Sequence, residues 1–318
     1  YGRLDQREPL VIGRVGTDDR DVFDLASLTK ALVTVPLIFE QGLPLEATVF
    51  DWAPSLEGRI NSEFGRLRID QLLRHEAGLP AWRNFWICHL DERETTFHPI
   101  NRMKRFEWIV EVLNRVQIMP LQRQIYSDVG FILLGLVLEG RQDTDLAQIF
   151  ARLGSEMGFL PDSPLRCVPS AYCSIRRRLL VGEPHDENCA ALGGVVGHCG
   201  LFGTGDGICH FLHDYFYLNP SGQRVLSAQV KELKLPSQTD PTQDSLIGWR
   251  QGSGPVTATF GGGRAIGHPG FTGTAFWIDF DQGDYVVLLT NRVLYGRTDM
   301  ARIATVRREI YQECLILR

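Results

Sequence analysis

The chain has 318 residues, of which 44% are hydrophobic, so it can bury a large core as one domain or as two subdomains that share an interface. Its formal net charge of −5, with acidic and basic residues interspersed, disfavours a nucleic-acid partner. The longest apolar runs, such as residues 131–138, are too short to span a bilayer. Seven cysteines at scattered spacings do not match a disulfide framework.

The N-terminal part predicts a strand followed by a helix. Residues 9–16 form a short, mainly apolar segment that ends at a glycine, which predicts a strand and a turn. A helix is predicted from Ser27 to Gln41, because the intervening residues are largely apolar and Gly42 is a typical stop. Pro36 lies inside this segment and predicts a kink or another local irregularity.

Helical patterns dominate residues 49–239. Helices are predicted over residues 68–74, 105–116, 129–139, 145–157 and 206–217. Asp128 is the predicted N-cap of the helix that follows it, since its carboxylate can accept from the first free N–H groups. Residues 160–190 lack strong periodicity and predict a long ordered loop.

After residue 245 the pattern changes to strands separated by turns. Strands are predicted over residues 246–249, 265–270, 274–279 and 285–290, and a helix over residues 299–317. The sequence therefore predicts an α/β (α+β) fold, in which an antiparallel sheet is flanked by helices and carries an inserted all-helical lobe. Residues 1–48 and 240–318 would form the sheet subdomain and residues 49–239 a mainly helical subdomain, with the active site between them.

The most informative segment reads Phe-Asp-Leu-Ala-Ser-Leu-Thr-Lys at residues 23–30. A serine hydroxyl is a poor nucleophile and needs a base, and residues at i and i+3 of a helix share one face. Ser27 and Lys30 would therefore meet at a helix N-terminus, where developing negative charge is favoured. The alternative is an N-cap serine followed by a solvated lysine.

Further segments strengthen the catalytic interpretation. Their sequences are Leu-Leu-Arg-His-Glu-Ala-Gly-Leu-Pro at 72–80, Tyr-Ser-Asp at 126–128, Gly-His-Cys-Gly-Leu-Phe at 197–202, His-Pro-Gly at 268–270 and Leu-Leu-Thr-Asn-Arg at 288–292. Together with residues 27–30, and in this order, they resemble the serine β-lactamase and penicillin-binding-protein superfamily. The resemblance covers roughly residues 9–315 and points to the class C-like branch of esterases, D-aminopeptidases, D,D-carboxypeptidases and β-lactamases. It implies a β-lactamase/transpeptidase-like fold.

The resemblance also implies roles for particular residues. Ser27 would be the acylated nucleophile, and Lys30 its base or the electrostatic support of a base. Tyr126 would carry the serine proton to the leaving group, and it needs a nearby cation to do so; Lys30 and His268 are the candidates. The oxyanion hole would consist of the backbone N–H groups of Ser27 and Phe271.

Three departures from the superfamily pattern affect the prediction. Asp128 replaces a common asparagine and would hold Lys30 charged, which favours Tyr126 as proton acceptor. His268 replaces a common lysine and can be neutral. Gly270 is a supporting residue of the same third motif. Pro269 replaces a threonine or serine whose hydroxyl would help to bind a substrate carboxylate. Because proline cannot donate to a ladder, Pro269 is also predicted to lie at a strand edge, the one that faces the substrate.

The remaining histidines and tryptophans have less specific roles. His75 and His198 are predicted to be structural, whereas His185 and Asp186 would line the cleft or hold their loop in place. Trp82 and Trp86 would pack within the helical lobe or form a wall of the acyl pocket. Zinc could in principle be bound by a set of five residues: His198, Cys199, Cys209, His210 and His213. Their spacing fits no common zinc template, so no metal is predicted, and no other cofactor is predicted either.

We therefore predict a serine hydrolase that acts through an acyl-enzyme on a carboxylic ester or small amide. The alternatives are a D,D-carboxypeptidase, D-amino-acid peptidase or weak β-lactamase, and, from another class, a catalytically silent binding or scaffold protein. The predicted partner is a small-molecule or peptide substrate. No signal-peptide pattern is visible at Tyr1, so the periplasm or cell envelope and the cytoplasm both stay open, as does the oligomeric state.

Overall fold

The computed structural model describes residues 1–85, 102–120, 124–217, 245–251, 265–298 and 300–317. The strands are β1 (Gly2–Arg3), β2 (Phe23–Asp24), β3 (Gly158–Phe159), β4 (Tyr172–Cys173), β5 (Arg178–Leu179), β6 (Leu201–Gly203), β7 (Ser245–Leu246), β8 (Trp249–Gln251), β9 (Ala265–Pro269), β10 (Ala275–Asp279) and β11 (Asp284–Leu288). Trp86, predicted to pack within the helical lobe or to form a wall of the acyl pocket, lies outside these ranges.

The helices alternate with long connections in the middle of the chain. They are α1 (Val35–Glu40), α2 (Val49–Trp52), α3 (Ser62–Gly65), α4 (Ile69–Leu73), α5 (Arg102–Asn114), α6 (Asp128–Gln142), α7 (Leu146–Ala151), α8 (Glu187–Ala191), α9 (Gly205–Phe216) and α10 (Met300–Ile316). Short 3₁₀ helices cover Pro54–Leu56, Pro164–Arg166 and Arg292–Tyr295. Within the described residues, no helix is long and apolar enough to cross a bilayer.

The larger sheet joins the two ends of the chain. Its strand order is β1-β11-β10-β9-β8-β7, and each neighbouring pair is antiparallel. Helix α10 packs on one face, where Tyr311 and Cys314 meet Trp277 and Val286 in a separate apolar cluster. The predicted antiparallel sheet flanked by helices is confirmed. The division into a sheet subdomain and a helical subdomain stays a prediction.

Pro269 lies at a local edge of its strand, although the strand itself is internal to the sheet. Strand β9 lies between β8 and β10. Proline is tolerated there because Pro269 is the last residue of β9 and lies two positions beyond Gly267, where the register with β8 reaches its end.

A second, three-stranded sheet brings distant segments to the start of the α1 region. Its order is β2-β6-β3, so Phe23–Asp24 lies against Leu201–Gly203. The Thr29 hydroxyl oxygen accepts from the Leu201 N–H at 3.1 Å, which fixes the first turn after β2 to this sheet. The segment that contains Ser27 is thus held from two sides before the helix begins.

The irregularity predicted from Pro36 is confirmed. Residues Lys30–Thr34 form a turn of π-helix, and the Val35 N–H bonds the Lys30 carbonyl five residues earlier. Because Pro36 has no N–H and its ring crowds the preceding turn, a regular α-ladder is interrupted at this point. Every residue of the π-turn is buried, including Lys30.

Helix α6 lies at the centre of the helical region. Residues 129–139 are all buried, and a helix that is apolar on all sides is stable only inside a core. Each fully buried Leu, Ile, Val or Phe contributes about 1.5–3 kcal/mol through removal of apolar surface from water. The core is continuous from α6 to sheet residues such as Ile266 and Phe276.

Three predicted elements are wrong in position or extent. Residues 9–16 form no strand, and Leu10, Val11, Ile12 and Val15 are exposed because no sheet face lies beside them. The helix expected over 145–157 ends at Ala151, and Gly154 at a φ of +68° carries the chain away from it. The expected loop 160–190 contains the β4–β5 pair and the start of α8.

Asp128 is not the N-cap of α6. Ser127 takes that place, and its hydroxyl oxygen accepts from the Gly130 N–H at 3.1 Å. The Asp128 carboxylate is turned instead toward Lys30. An ion pair with a buried lysine therefore outweighs the capping interaction that the local sequence offers.

Candidate active site

Ser27 and Lys30 lie together at the floor of a cleft. The Lys30 ammonium donates to the Ser27 hydroxyl oxygen at 2.9 Å and to the His198 carbonyl at 3.1 Å. It also pairs with the Asp128 carboxylate at 2.7 Å. Since the Lys30 side chain is 0% exposed, the alternative of a solvated lysine is wrong.

Lys30 is held in its charged form. Burial by itself lowers the pKa of Lys30, but the Asp128 charge and the hydrogen-bonded Tyr126 side chain outweigh it and raise the pKa above its ordinary value. A lysine in this state supplies a fixed positive charge at neutral pH. It has no lone pair with which to take a proton from Ser27.

Tyr126 packs beside Lys30 as the third member of the cluster. Its ring centroid lies 4.9 Å from the Lys30 ammonium and 5.1 Å from the Arg250 guanidinium carbon, so two cations face this ring. Its hydroxyl lies 3.4 Å from His268 Nε2. The structure therefore brings Ser27, Lys30 and Tyr126 together, as the motif order predicts.

His75 supports the segment that carries Tyr126. Its Nδ1 accepts from the Ser127 N–H at 3.0 Å, and its ring centroid lies 4.6 Å from that of Tyr126. Burial, with the charges of Lys30 and Arg250, lowers the pKa of His75 to about 3, so it stays neutral and keeps the acceptor nitrogen. These contacts agree with its predicted structural role.

His268 is neutral and adds no positive charge to the site. Its Nδ1–H donates to the Pro269 carbonyl at 2.8 Å, which leaves Nε2 as an acceptor facing the Tyr126 hydroxyl. Burial and the charges of Lys30 and Arg250 lower the pKa of His268 well below its ordinary value. The expectation that His268 helps to supply the cationic field is therefore wrong, and Arg250 supplies it instead.

The turn after β9 places a second backbone donor near Ser27. Gly270 donates to the Thr274 carbonyl at 2.7 Å, so the alternation of a β-ladder turns the Phe271 N–H away from β10. Among the described residues, neither this N–H nor that of Ser27 donates to another group. A Cβ on Gly270 would lie 2.1 Å from Thr274 Oγ1, so glycine is needed for this turn.

Two threonines join this turn to the Ser27 segment. Thr272 Oγ1 donates to the Asp24 carbonyl at 2.8 Å, and Thr274 Oγ1 donates to the Leu25 carbonyl at 3.3 Å. Both hydroxyls are buried with their residues. The two candidate oxyanion donors, on Ser27 and Phe271, are thereby held in a fixed relation.

The cleft has a volume of about 700 Å³ and mixed walls. Trp82, His185 and Phe271 contribute rings, and Arg250, Arg297 and Arg307 contribute positive charge. The pair Arg297–Glu187 stands at the rim with a shortest N–O distance of 2.7 Å. Phe271 is 41% exposed, and its ring centroid lies 5.5 Å from that of His185, 4.9 Å from the Arg292 guanidinium carbon and 5.6 Å from that of Arg297.

Sequence reasoning missed the arginines and Asp24. Arg250 follows the predicted strand segment Ile-Gly-Trp, and Arg307 is a buried position of a helix that alternates charged and apolar residues. In the sequence each of these arginines is only a basic residue beside apolar ones, and that pattern does not indicate a functional site until the fold is known. Asp24 lies within the octet 23–30, yet its carboxylate was not singled out.

The histidines weighed as zinc ligands make other contacts. His198 bonds Asp186, His210 bonds Glu156, and His213 bonds Asp214. In the described parts of the chain, no three His, Cys, Asp or Glu side chains are grouped so as to hold a metal ion. The described residues therefore do not bring together the set considered for zinc.

Comparisons with known proteins agree with this geometry. A model of the Beta-lactamase family matches residues 11–309, so the chain belongs to that family. An N-acetylmuramyl-L-alanine amidase of Bacillus subtilis is 29% identical over 86% of this chain and 68% of its own length. A putative D-alanyl-D-alanine carboxypeptidase of Escherichia coli is 28% identical over 85% of this chain and 69% of its own length.

Solved structures support the same fold. EstCE1, a hydrolase with promiscuous acyltransferase activity, superposes with a TM-score of 0.65 at 18% identity, over 93% of this chain and 86% of that one. A penicillin-binding protein from Bacillus halodurans gives 0.61 at 17% identity, over 93% and 88%. The protein is thus a serine hydrolase of the β-lactamase and penicillin-binding-protein type.

Proposed function

We propose that the protein hydrolyses a small carboxylic amide or ester through an acyl-enzyme on Ser27. The observation that carries the proposal is the 2.9 Å contact between Ser27 Oγ and Lys30 Nζ at the floor of the cleft. A hydroxyl fixed against a permanent cation, in a cavity large enough for a small substrate, is poised for acyl transfer.

In the proposed mechanism, Tyr126 moves the proton. Lys30 is charged, so Tyr126, whose ring faces Lys30 and Arg250, is proposed to act in its phenolate form as the acceptor of the Ser27 proton. Ser27 Oγ attacks the carbonyl carbon, and Tyr126 then gives the proton to the leaving nitrogen or oxygen as that bond breaks. Water cleaves the ester by the same proton path and frees Ser27.

The tetrahedral intermediate needs donors for its oxyanion. The backbone N–H groups of Ser27 and Phe271 are proposed for this role, because both are free of other described partners and are held together by Thr272 and Thr274. Removing one such donor in related chemistry costs about 3–4 kcal/mol of transition-state stabilisation.

An amide is the favoured substrate within this class. The Bacillus subtilis relative is named an amidase, and it matches this chain over most of its length. Arg250, Arg297 and Arg307 line the cleft and suit a substrate that carries negative charge. The acyl group and the leaving group are the open part of this proposal.

A D-alanyl carboxypeptidase is the second candidate, because the Escherichia coli relative is named as one. Pro269 counts against it, since proline supplies neither the hydroxyl nor the N–H that would bind a terminal carboxylate at this place. An arginine of the cleft would have to replace that contact.

The test is intact-protein mass after incubation with a fluorophosphonate, a p-nitrophenyl ester, N-acetylmuramyl-L-alanine, a D-Ala-D-Ala peptide or penicillin. Ser27→Ala is the control. Labelling by the fluorophosphonate and release of L-alanine, both lost in the variant, would support the amidase. Release of D-alanine or stable penicillin labelling would support the second candidate, and no adduct at all would indicate a silent binding protein.

A further inference from the structure

Asp24 is a buried carboxylate that bridges two segments of the site. It is 4% exposed, and each of its oxygens accepts one backbone N–H. Oδ1 accepts from Ala26 at 2.9 Å, and Oδ2 accepts from His185 at 2.6 Å. The two donors are 159 positions apart in the chain and are joined by this side chain.

The first contact fixes the turn that presents Ser27. Ala26 has a φ of +48°, the left-handed region that residues with a Cβ rarely adopt. An aspartate that bonds the N–H two residues later stabilises such a turn. Without the Oδ1 contact, the residue before Ser27 would relax toward an ordinary conformation and would turn the Ser27 hydroxyl.

The second contact leads to Lys30 through the other wall of the cleft. His185 is followed by Asp186, whose Oδ1 bonds His198 Nε2 at 3.1 Å. The His198 carbonyl then accepts from the Lys30 ammonium. Asp24, His185–Asp186, His198 and Lys30 therefore form a closed series of contacts that returns to Ser27.

We propose that Asp24 is a positioning residue that sets the place of Ser27 relative to Lys30, and that it does so only when both of its oxygens can accept. This inference rests on the proposed acyl-transfer function of Ser27. A protonated carboxyl keeps one acceptor oxygen and turns the other into a hydroxyl donor, so one of the two N–H contacts is then lost.

The surroundings of Asp24 allow its carboxyl group to be protonated in mild acid, and one N–H contact is then lost. Burial raises the pKa of Asp24 to about 6, with Asp186 adding to the rise, against the Ala26 and His185 N–H groups and the Arg176 charge. The thiols of Cys167, Cys189 and Cys199 also face it, and their own pKa values are raised, so they stay neutral. Burial lowers the pKa of His185 to about 4, below the relevant range.

The experiment measures the rate of Ser27 acylation by a fluorophosphonate and by a p-nitrophenyl ester between about pH 5 and pH 9. In the wild-type protein the rate should fall below about pH 6. Asp24→Asn mimics the protonated carboxyl, so its rate should be about 10- to 100-fold lower at neutral pH, with little change in KM and without the fall near pH 6.

Two controls separate this effect from others. His198→Asn keeps a donor toward Asp186 but cannot titrate, so the fall near pH 6 should persist in it. If Asp24→Asn does not fold, Arg176→Gln replaces it: losing the Arg176 charge should move the acid fall to higher pH, and Arg176→Lys should restore it.

The proposal is overturned by a wild-type profile with no fall near pH 6. It is equally overturned by an Asp24→Asn variant that keeps either the wild-type rate or the acid fall, or by an Arg176→Gln profile that does not move. Failure of the proposed function gives a different result, because the wild-type protein would then take no label at any pH.

Discussion

Two ion pairs in the cleft have the same length and different surroundings. Lys30–Asp128 at the floor and Arg297–Glu187 at the rim both measure 2.7 Å. The basic side chain is 0% exposed in the first and 52% exposed in the second. Water and salt screen the rim pair from the side of Arg297, although Glu187 is only 7% exposed, whereas either member of the floor pair would be left as a poorly solvated charge without the other. Distance alone therefore says little about what an ion pair does.

Breaking the floor pair should have the largest effect. Lys30→Met removes the cation and leaves Asp128 without its partner, so unfolding in urea should show a loss of about 3–5 kcal/mol. Acylation of Ser27 should fall by at least about 10³-fold. The double variant Lys30→Met with Asp128→Asn should regain most of the stability and none of the activity; equal destabilisation of both variants would contradict the comparison.

Tyr126→Phe tests whether Tyr126, rather than the charged Lys30 at the floor, accepts the Ser27 proton. If the permanently charged Lys30 leaves proton transfer to Tyr126, removal of the hydroxyl should lower kcat by about 10²- to 10⁴-fold. The ring and its contact with the Lys30 ammonium remain, so the unfolding free energy should change by less than about 1.5 kcal/mol. Stopped-flow acylation with a p-nitrophenyl ester measures the rate, and a near wild-type kcat would return the proton acceptor role to Lys30.

Asp128→Asn keeps the shape of the floor pair and removes one charge. Burial then becomes the dominant influence on Lys30 and should bring its pKa below the ordinary value, the reverse of its present direction. Stability from a raised lysine pKa is present below the unfolded value and is lost as pH rises through the folded one. The wild-type protein should thus keep this stability to about pH 10. In the variant the folded lysine binds its proton less readily than the unfolded one, so stability should rise, not fall, as pH increases through the lowered pKa toward about pH 10. Thermal unfolding across pH checks the sign.

Changes at the rim should have the smallest effect. Arg297→Ala removes a pair that is exposed at its arginine and buried at Glu187, so stability should fall by about 1–3 kcal/mol, less than at the floor, and kcat/KM by less than about tenfold. The loss should shrink at high salt, because exposed charges are screened within about 10 Å at 0.1 M ionic strength. A salt-independent loss of 10²-fold or more would show that the rim pair belongs with the floor.

The sequence predicted the contacts that lie close along the chain or follow a motif. Ser27 and Lys30 are three residues apart at the start of one helical segment, so local geometry joins them. Tyr126 and His268 came from the order of the motifs. The bond from the His185 N–H to Asp24 was out of reach, because a main-chain donor leaves no mark in the sequence.

The failures have a common physical cause. Aspartate is a residue type that favours the N-cap position, but the carboxylate of Asp128 forms an ion pair with Lys30 instead. Residues 9–16 have the composition of a strand, but no neighbouring strand pairs with them. His268 could be charged or neutral by its ordinary pKa, and only the burial shown by the fold decides between them.

Pro269 has a consequence for which molecules the cleft can admit. An extended polypeptide can bind by adding itself as a further strand at an exposed strand edge, where it exchanges main-chain hydrogen bonds with that strand. At this end of β9 the nitrogen carries no hydrogen, and the carbonyl already accepts from His268. An extended polypeptide would therefore find neither a main-chain donor nor an unoccupied main-chain acceptor at Pro269.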